Sequence, residues 1–92
     1  MRILQLIDTL ETGGAERMAV NYANALSEKI SLSALVATRR EGALKKQLDE
    51  KVFYLFLNKK STIDIKSIFR LRSFVCKHKI NIVHAHGTSF FL

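Results

Sequence analysis

Proline is missing from this sequence, cysteine occurs once, and glycine occurs only four times among 92 residues. With no proline, no Ser/Gly-rich stretch and no low-complexity segment, nothing marks an internal domain boundary. The length allows one small domain at most. The lone Cys76 cannot close an intrachain disulfide, and no Cys/His cluster supplies the four ligands of a structural zinc site. A reducing setting is the expectation. No apolar run approaches the ~20 residues that span a bilayer. The apolar start is interrupted at Gln5 and stopped at Asp8, too short for a signal-peptide core. The chain is therefore expected in the cytoplasm, neither secreted nor integral to a membrane.

Positive charge is what the sequence has in excess. Fifteen Lys and Arg stand against eight Asp and Glu, a formal charge of +7. That balance favours an anionic partner, whether a phosphorylated substrate, a phospholipid surface or a nucleic acid. Hydrophobic residues make up 48% and charged residues 25%, a composition that folds.

Arg2 to Asp8 is short, largely apolar and free of turn residues, the pattern of a strand buried on both faces. The loop Leu10-Glu11-Thr12-Gly13-Gly14 leads to a helix over Ala15 to Ser27, with Met18, Tyr22, Ala25 and Leu26 at helical spacing and Ala19 and Ala23 beside them. Ile30 to Thr38 predicts a second interior strand, closed by Arg39-Arg40-Glu41-Gly42. Ala43 to Glu50 predicts a short helix, and Val52 to Leu57 a third strand ended by Asn58-Lys59-Lys60. Ser61-Thr62-Ile63-Asp64 resembles a capping box, so a helix is expected from Thr62, turning Ile65, Ile68, Phe69, Leu71 and Val75 to the core and fading at Lys77-His78-Lys79. Ile80 to His86 predicts a fourth strand, and Gly87-Thr88-Ser89 the turn and N-cap of a further helix.

Strands alternating with helices imply parallel pairing through right-handed crossovers. The expected fold is α/β, a partial doubly wound, Rossmann-like sheet of about four strands in the common order 3-2-1-4. The fourth strand then lies at an exposed edge, a position that invites self-association.

Ligands of such sheets bind beyond the carboxyl ends of the strands, where the strand order reverses. That rule selects two segments, Thr12-Gly13-Gly14-Ala15-Glu16-Arg17 and His84-Ala85-His86-Gly87-Thr88. Paired glycines ahead of a helix let the backbone approach a ligand and offer N–H groups to a phosphate or a sugar hydroxyl. Glu16 complements the helix dipole, and Arg17 is placed to reach an anion. A period of two sets Ile80, Ile82, His84 and His86 on one face, with His86 nearer the ligand. A histidine there exchanges hydrogen bonds with a hydroxyl or phosphate near neutral pH. His86 is the candidate catalytic residue, and Gly13, Gly14, Arg17, His84 and Thr88 are the candidate substrate-binding residues. His84 also suits a purely structural role. The two histidines lack a third ligand, so no metal is expected. The Gly-x-Gly-x-x-Gly fingerprint and the P-loop Gly-Lys-Ser/Thr are both absent. Arg39-Arg40 stand where a dehydrogenase carries an acidic residue.

Lys59, Lys66, Arg70 and Lys77 are separated by seven, four and seven residues, and those inside the helix share a face. That basic stripe suits an anionic membrane surface or simple solvation. Nucleic acid is not expected, because no recognised binding module occurs and no aromatics interleave with the basic face.

Arg2-Ile3-Leu4-Gln5-Leu6-Ile7, Thr12-Gly13-Gly14-Ala15-Glu16-Arg17 and Ile82-Val83-His84-Ala85-His86-Gly87, in this order and spacing, resemble the start of a GT-B glycosyltransferase of the retaining "glycosyl transferases group 1" type. The resemblance runs across essentially the whole chain. It implies that residues 1–92 are an incomplete N-terminal Rossmann-like domain, the acceptor side of a cleft whose donor domain, with its paired-glutamate motif, lies elsewhere. It implies a nucleotide sugar as donor substrate, no cofactor, and a glycan or lipid-linked acceptor, as in polysaccharide biosynthesis peripheral to the inner face of a membrane. Gly13 and Gly14 would lie near the donor phosphates or the reacting sugar, and His86 would line the cleft near the transfer centre. The 92-residue chain alone is then expected to be inactive. One departure is Glu28-Lys29-Ile30, where the family commonly has a glycine before the second strand. The alternative is a small basic Rossmann-like module that binds a nucleotide or anion without catalysis. It accounts for the charge but gives Gly13-Gly14 no role.

Overall fold

The computed structural model describes residues 1–10, 13–58 and 64–86. In chain order its elements are β1 (Arg2–Thr9), α1 (Gly14–Ser27), β2 (Leu32–Arg40), a 3₁₀ helix (Ala43–Gln47), β3 (Phe53–Phe56), α2 (Ile65–Lys77) and β4 (Ile82–Ala85). The strands pair in parallel in the order β3-β2-β1-β4, the Rossmann-like α/β arrangement that the alternation predicts. The expected capping residues Ser61 and Thr62, the basic Lys59, and the Gly87-Thr88-Ser89 turn lie outside the described residues.

Successive strand residues point to opposite faces, so the central strands need apolar side chains at nearly every position. On one face Ile7, Leu35 and Ala37, with Leu10, pack against Ala19, Val20 and Ala23 of α1 and against Leu44 and Val52. On the other, Leu4, Leu6, Leu32, Ala34 and Val36 pack against Leu57 and Leu71 of α2. The result is three layers with helices on both sides of the sheet. β4 pairs with β1 alone among the described strands, and its Ile82 and Val83 are exposed.

Both helices turn differently from the expected apolar stripes. In α1 the buried line is Ala19, Val20 and Ala23, whereas Met18, Tyr22 and Ala25 are exposed. Small side chains bring the helix axis close to the sheet, and Tyr22 swings out over the β4 edge. α2 starts at Ile65 rather than Thr62, because Asp64 is the N-cap and accepts a hydrogen bond from the Ser67 N–H. It turns Ser67 and Leu71 to the sheet, with Phe74 and Val75 half-buried, and leaves Ile65, Ile68 and Phe69 exposed. Phe69 and Leu71 are two residues apart, roughly 160° around a helix, so both cannot face the core. Leu71 wins because Phe74 and Val75 share its side.

The element ends shift for local reasons. Ile30 closes α1, its N–H donating to Leu26 O, so β2 begins at Leu32. Arg39 and Arg40 extend that strand rather than ending it, and Leu10 N–H donates to Arg40 O at 3.1 Å. The segment after Gly42 is a 3₁₀ helix, shorter than the expected Ala43 to Glu50. It is tied to the sheet by Glu41, whose carboxylate accepts from Tyr54 Oη at 2.7 Å and faces Lys45 Nζ at 3.1 Å. The Tyr54 hydrogen bond and Lys45 hold the Glu41 carboxyl below the usual range. Burial, and then Glu41, push the Tyr54 phenol upward. The fourth strand contracts to Ile82–Ala85 because Ile80 completes the end of α2, donating to Val75 O across Lys79, which holds a left-handed φ of 53°.

Candidate functional site

Strand alternation carries Gln5, Ile7 and Thr9 of β1 toward the α1 face. β4 sets His84 opposite Gln5, and His86 N–H donates to Leu6 O at 2.9 Å, continuing the ladder past the strand end. The two histidines therefore share the α1 face, their ring centroids 4.1 Å apart. His86 Nε2 lies 2.7 Å from Gln5 Oε1. That pairing requires the proton on Nε2 and leaves Nδ1 as the acceptor of the neutral ring. Tyr22 of α1 closes the group, 6.1 Å from the His84 ring and 6.4 Å from the His86 ring.

Burial first, and the neighbouring His84 second, lower the His86 pKa below its ordinary value of 6.5. His86 is accordingly a neutral hydrogen-bonding group at pH 7. The unfolded chain binds this proton more readily than the folded one, so the contribution to stability is complete above about pH 6.5 and declines as pH falls from there toward the folded pKa. The urea midpoint is therefore expected to drop between pH 7.5 and 5, with a shallower drop in His86→Gln. Equal pH slopes in the two proteins would contradict this assignment.

The other half of the site begins where β1 ends. Gly13 is the N-cap of α1 in extended conformation and supplies no side-chain cap. Glu16, in the first turn, folds back toward the end of β1, its Oε2 accepting from Thr9 Oγ1 at 3.1 Å. A Cβ on Gly13 would stand 2.7 Å from Glu16 Oε1, so the missing side chain makes room for this carboxylate. Gly14 is different: a Cβ there would meet nothing within 4 Å. Arg17 is exposed, and its N–H donates to Gly13 O at 3.0 Å. Deeper in, Thr38 Oγ1 donates to Asp8 Oδ1 at 2.7 Å, tying the carboxyl ends of β1 and β2.

A carboxylate at a helix N-terminus offsets the positive end of the helix dipole. A phosphate entering beside Gly13 would meet the charge of Glu16, whereas a polyol would donate its hydroxyls to it. The edge thus presents an acceptor carboxylate at the end of β1 and a neutral imidazole beyond β4, a combination matched to hydroxyl groups.

The sequence singles out Gly13, Gly14, Arg17, His84 and His86, and the parallel pairing of β1 with β4 puts their two segments at the carboxyl ends of adjacent strands. Thr88 lies outside the described residues. The reasoning missed Gln5, Thr9 and Tyr22, and gave Glu16 only a dipole role. The available signal was Gln5, a polar residue inside an apolar strand; it is 1% exposed and needs a partner. Among the described residues no three His, Cys, Asp or Glu are grouped to hold a metal ion.

The basic stripe divides. Arg70 donates from Nη1 to Leu57 O at 3.0 Å and from Nη2 to Phe56 O at 3.1 Å, capping the end of β3. Lys66 and Lys77 are exposed. Among the described residues no helix is long and apolar enough to cross a membrane. No protein-family model matches the chain, and no curated protein or solved structure matches it significantly.

Proposed function

We propose that this chain supplies the acceptor side of the cleft of a glycosyltransferase that moves a sugar from a nucleotide-sugar donor to a glycan or lipid-linked acceptor. The reading is carried by one observation: the strand-order reversal between β1 and β4 has a hydroxyl-accepting Glu16 at one strand end and a neutral His86 beyond the other. The Gly13-Gly14-Ala15-Glu16-Arg17 and His84-Ala85-His86 segments, which resemble those of the GT-B enzymes, supply these groups to the edge.

In this proposal Glu16 orients the acceptor by accepting from its hydroxyls, and His86 takes the proton of the attacking hydroxyl at Nδ1, a general-base role. Arg17 faces the departing donor phosphate. Stabilising that phosphate is the dominant electrostatic requirement of such a transfer. In the proposed enzyme the donor domain meets most of it.

Gly14 separates a folding requirement from a ligand requirement. Alanine fits its site and is the better helix former, so Gly14→Ala is expected to leave stability unchanged or raise it by up to ~1 kcal/mol. In the enzyme containing this chain, the added methyl intrudes where the acceptor lies against the backbone. Misplacement on this scale costs up to about 100-fold, and a loss of tenfold or more is expected in transfer of labelled sugar. Full transfer by a folded Gly14→Ala enzyme would refute the site.

A further inference from the structure

α2 carries two apolar lines. Leu71, Phe74 and Val75 face the sheet, while Ile65 and Phe69 stand 64% and 60% exposed on the far side, with Ile68 beside them. Cys76, also exposed, follows Phe69 by seven residues and lies within about 20° of the same line. Lys66 and Lys77 flank this ridge on one side and Arg72 on the other, each roughly 60–80° from Phe69 around the helix. All three are exposed. Beside the ridge, an open groove of about 340 Å³ between α2 and β3 has Leu55, Phe69 and Phe74 in its walls and Arg70 and Lys77 on its polar side.

The charge is one-sided. No Asp or Glu follows Asp64 in the sequence, whereas Lys66, Arg70, Arg72, Lys77 and Lys79 do. A nucleic acid would answer the cations and leave Ile65 and Phe69 in water. A second copy would cover the apolar ridge and set like charges against each other. An anionic bilayer answers both features, because its headgroups meet the cations while its acyl boundary receives the apolar ridge.

We propose that the outer face of α2 docks this protein on an anionic membrane surface. Ile65 and Phe69 enter the headgroup boundary, and Lys66, Arg72 and Lys77 hold the anionic headgroups around them. Arg70 contributes structurally, by fixing the helix to the end of β3. This docking rests on α2 alone and is independent of the glycosyl-transfer reading.

The full chain, labelled at Cys76 with an environment-sensitive fluorophore, tests it on vesicles of phosphatidylcholine with and without phosphatidylglycerol. Co-sedimentation of unlabelled protein serves as the second measurement. A blue shift and co-sedimentation with the anionic vesicles only are expected, both weakening as salt rises. Phe69→Ser is expected to weaken binding about tenfold or more, and Lys66→Glu with Lys77→Glu to abolish it. Equal binding to neutral vesicles, no binding to either, or full binding by Phe69→Ser would overturn the proposal. So would shielding of Cys76 by self-association without lipid.

Discussion

Leu6→Ala is expected to cost about 2–5 kcal/mol of folding stability, the range for truncating a fully buried leucine. Leu6 is completely buried on the central strand, among Leu4, Ala34, Val36, Leu57 and Leu71 on the α2 side of the sheet. Its strand is paired on both edges, with β2 and β4, so the backbone cannot close over the space. A domain of this size is stable by about 5–14 kcal/mol, so the variant should lose a large part of that margin and unfold at a much lower urea concentration. Phe69→Ser is the contrast: it removes a larger apolar side chain from the exposed face of α2, and surface changes of that kind stay within ±0.5 kcal/mol. Urea titration followed by circular dichroism distinguishes the two. Equal midpoints would mean that the sheet does not form the core described.

The strands and their order were legible because the interior of a parallel sheet demands unbroken apolar runs, and Arg2 to Asp8 and Ile30 to Thr38 satisfy that demand. Helix facing was legible only in part. α2 has apolar residues on two sides, and periodicity alone cannot tell the line that meets the sheet from the line that does not. The choice was made by tertiary neighbours, since Leu71 joins the buried cluster that includes Leu4 and Leu6 whereas Phe69 lines the open groove beside β3. The same limit drew the apolar stripe of α1 through Met18 and Tyr22, with Ala19 and Ala23 beside it, although Ala19 and Ala23 are the residues that pack on the sheet.

At the candidate site, backbone features were the readable ones. Gly13 and Gly14 mark the turn from β1 into α1, and His84 and His86 fall in register at a strand end. Side-chain partnerships across the chain were not readable. Gln5 and His86 are 81 residues apart and meet only once β4 has paired with β1. Glu16 looks like an ordinary first-turn acid until its rotamer returns it to Thr9. Arg70 reads as one more surface cation because its acceptors, the carbonyls of Phe56 and Leu57, belong to another element.

His86 bears the largest functional effect in this account. General-base contributions run to about 10²–10⁴-fold, so His86→Ala in the proposed enzyme is expected to lower kcat/KM at least a hundredfold. Alanine also strips the buried Gln5 amide of its partner, a loss of about 1–3 kcal/mol. His86→Gln avoids that second effect by returning an N–H donor to Gln5 Oε1 while removing the proton-accepting ring. The most direct measurement is transfer of labelled sugar by intact wild-type and His86→Gln enzymes of matched melting temperature. Transfer by the wild type and a loss of about a hundredfold or more in the variant are expected. Unchanged turnover by His86→Gln, or no transfer by the wild type from any nucleotide sugar, would contradict this.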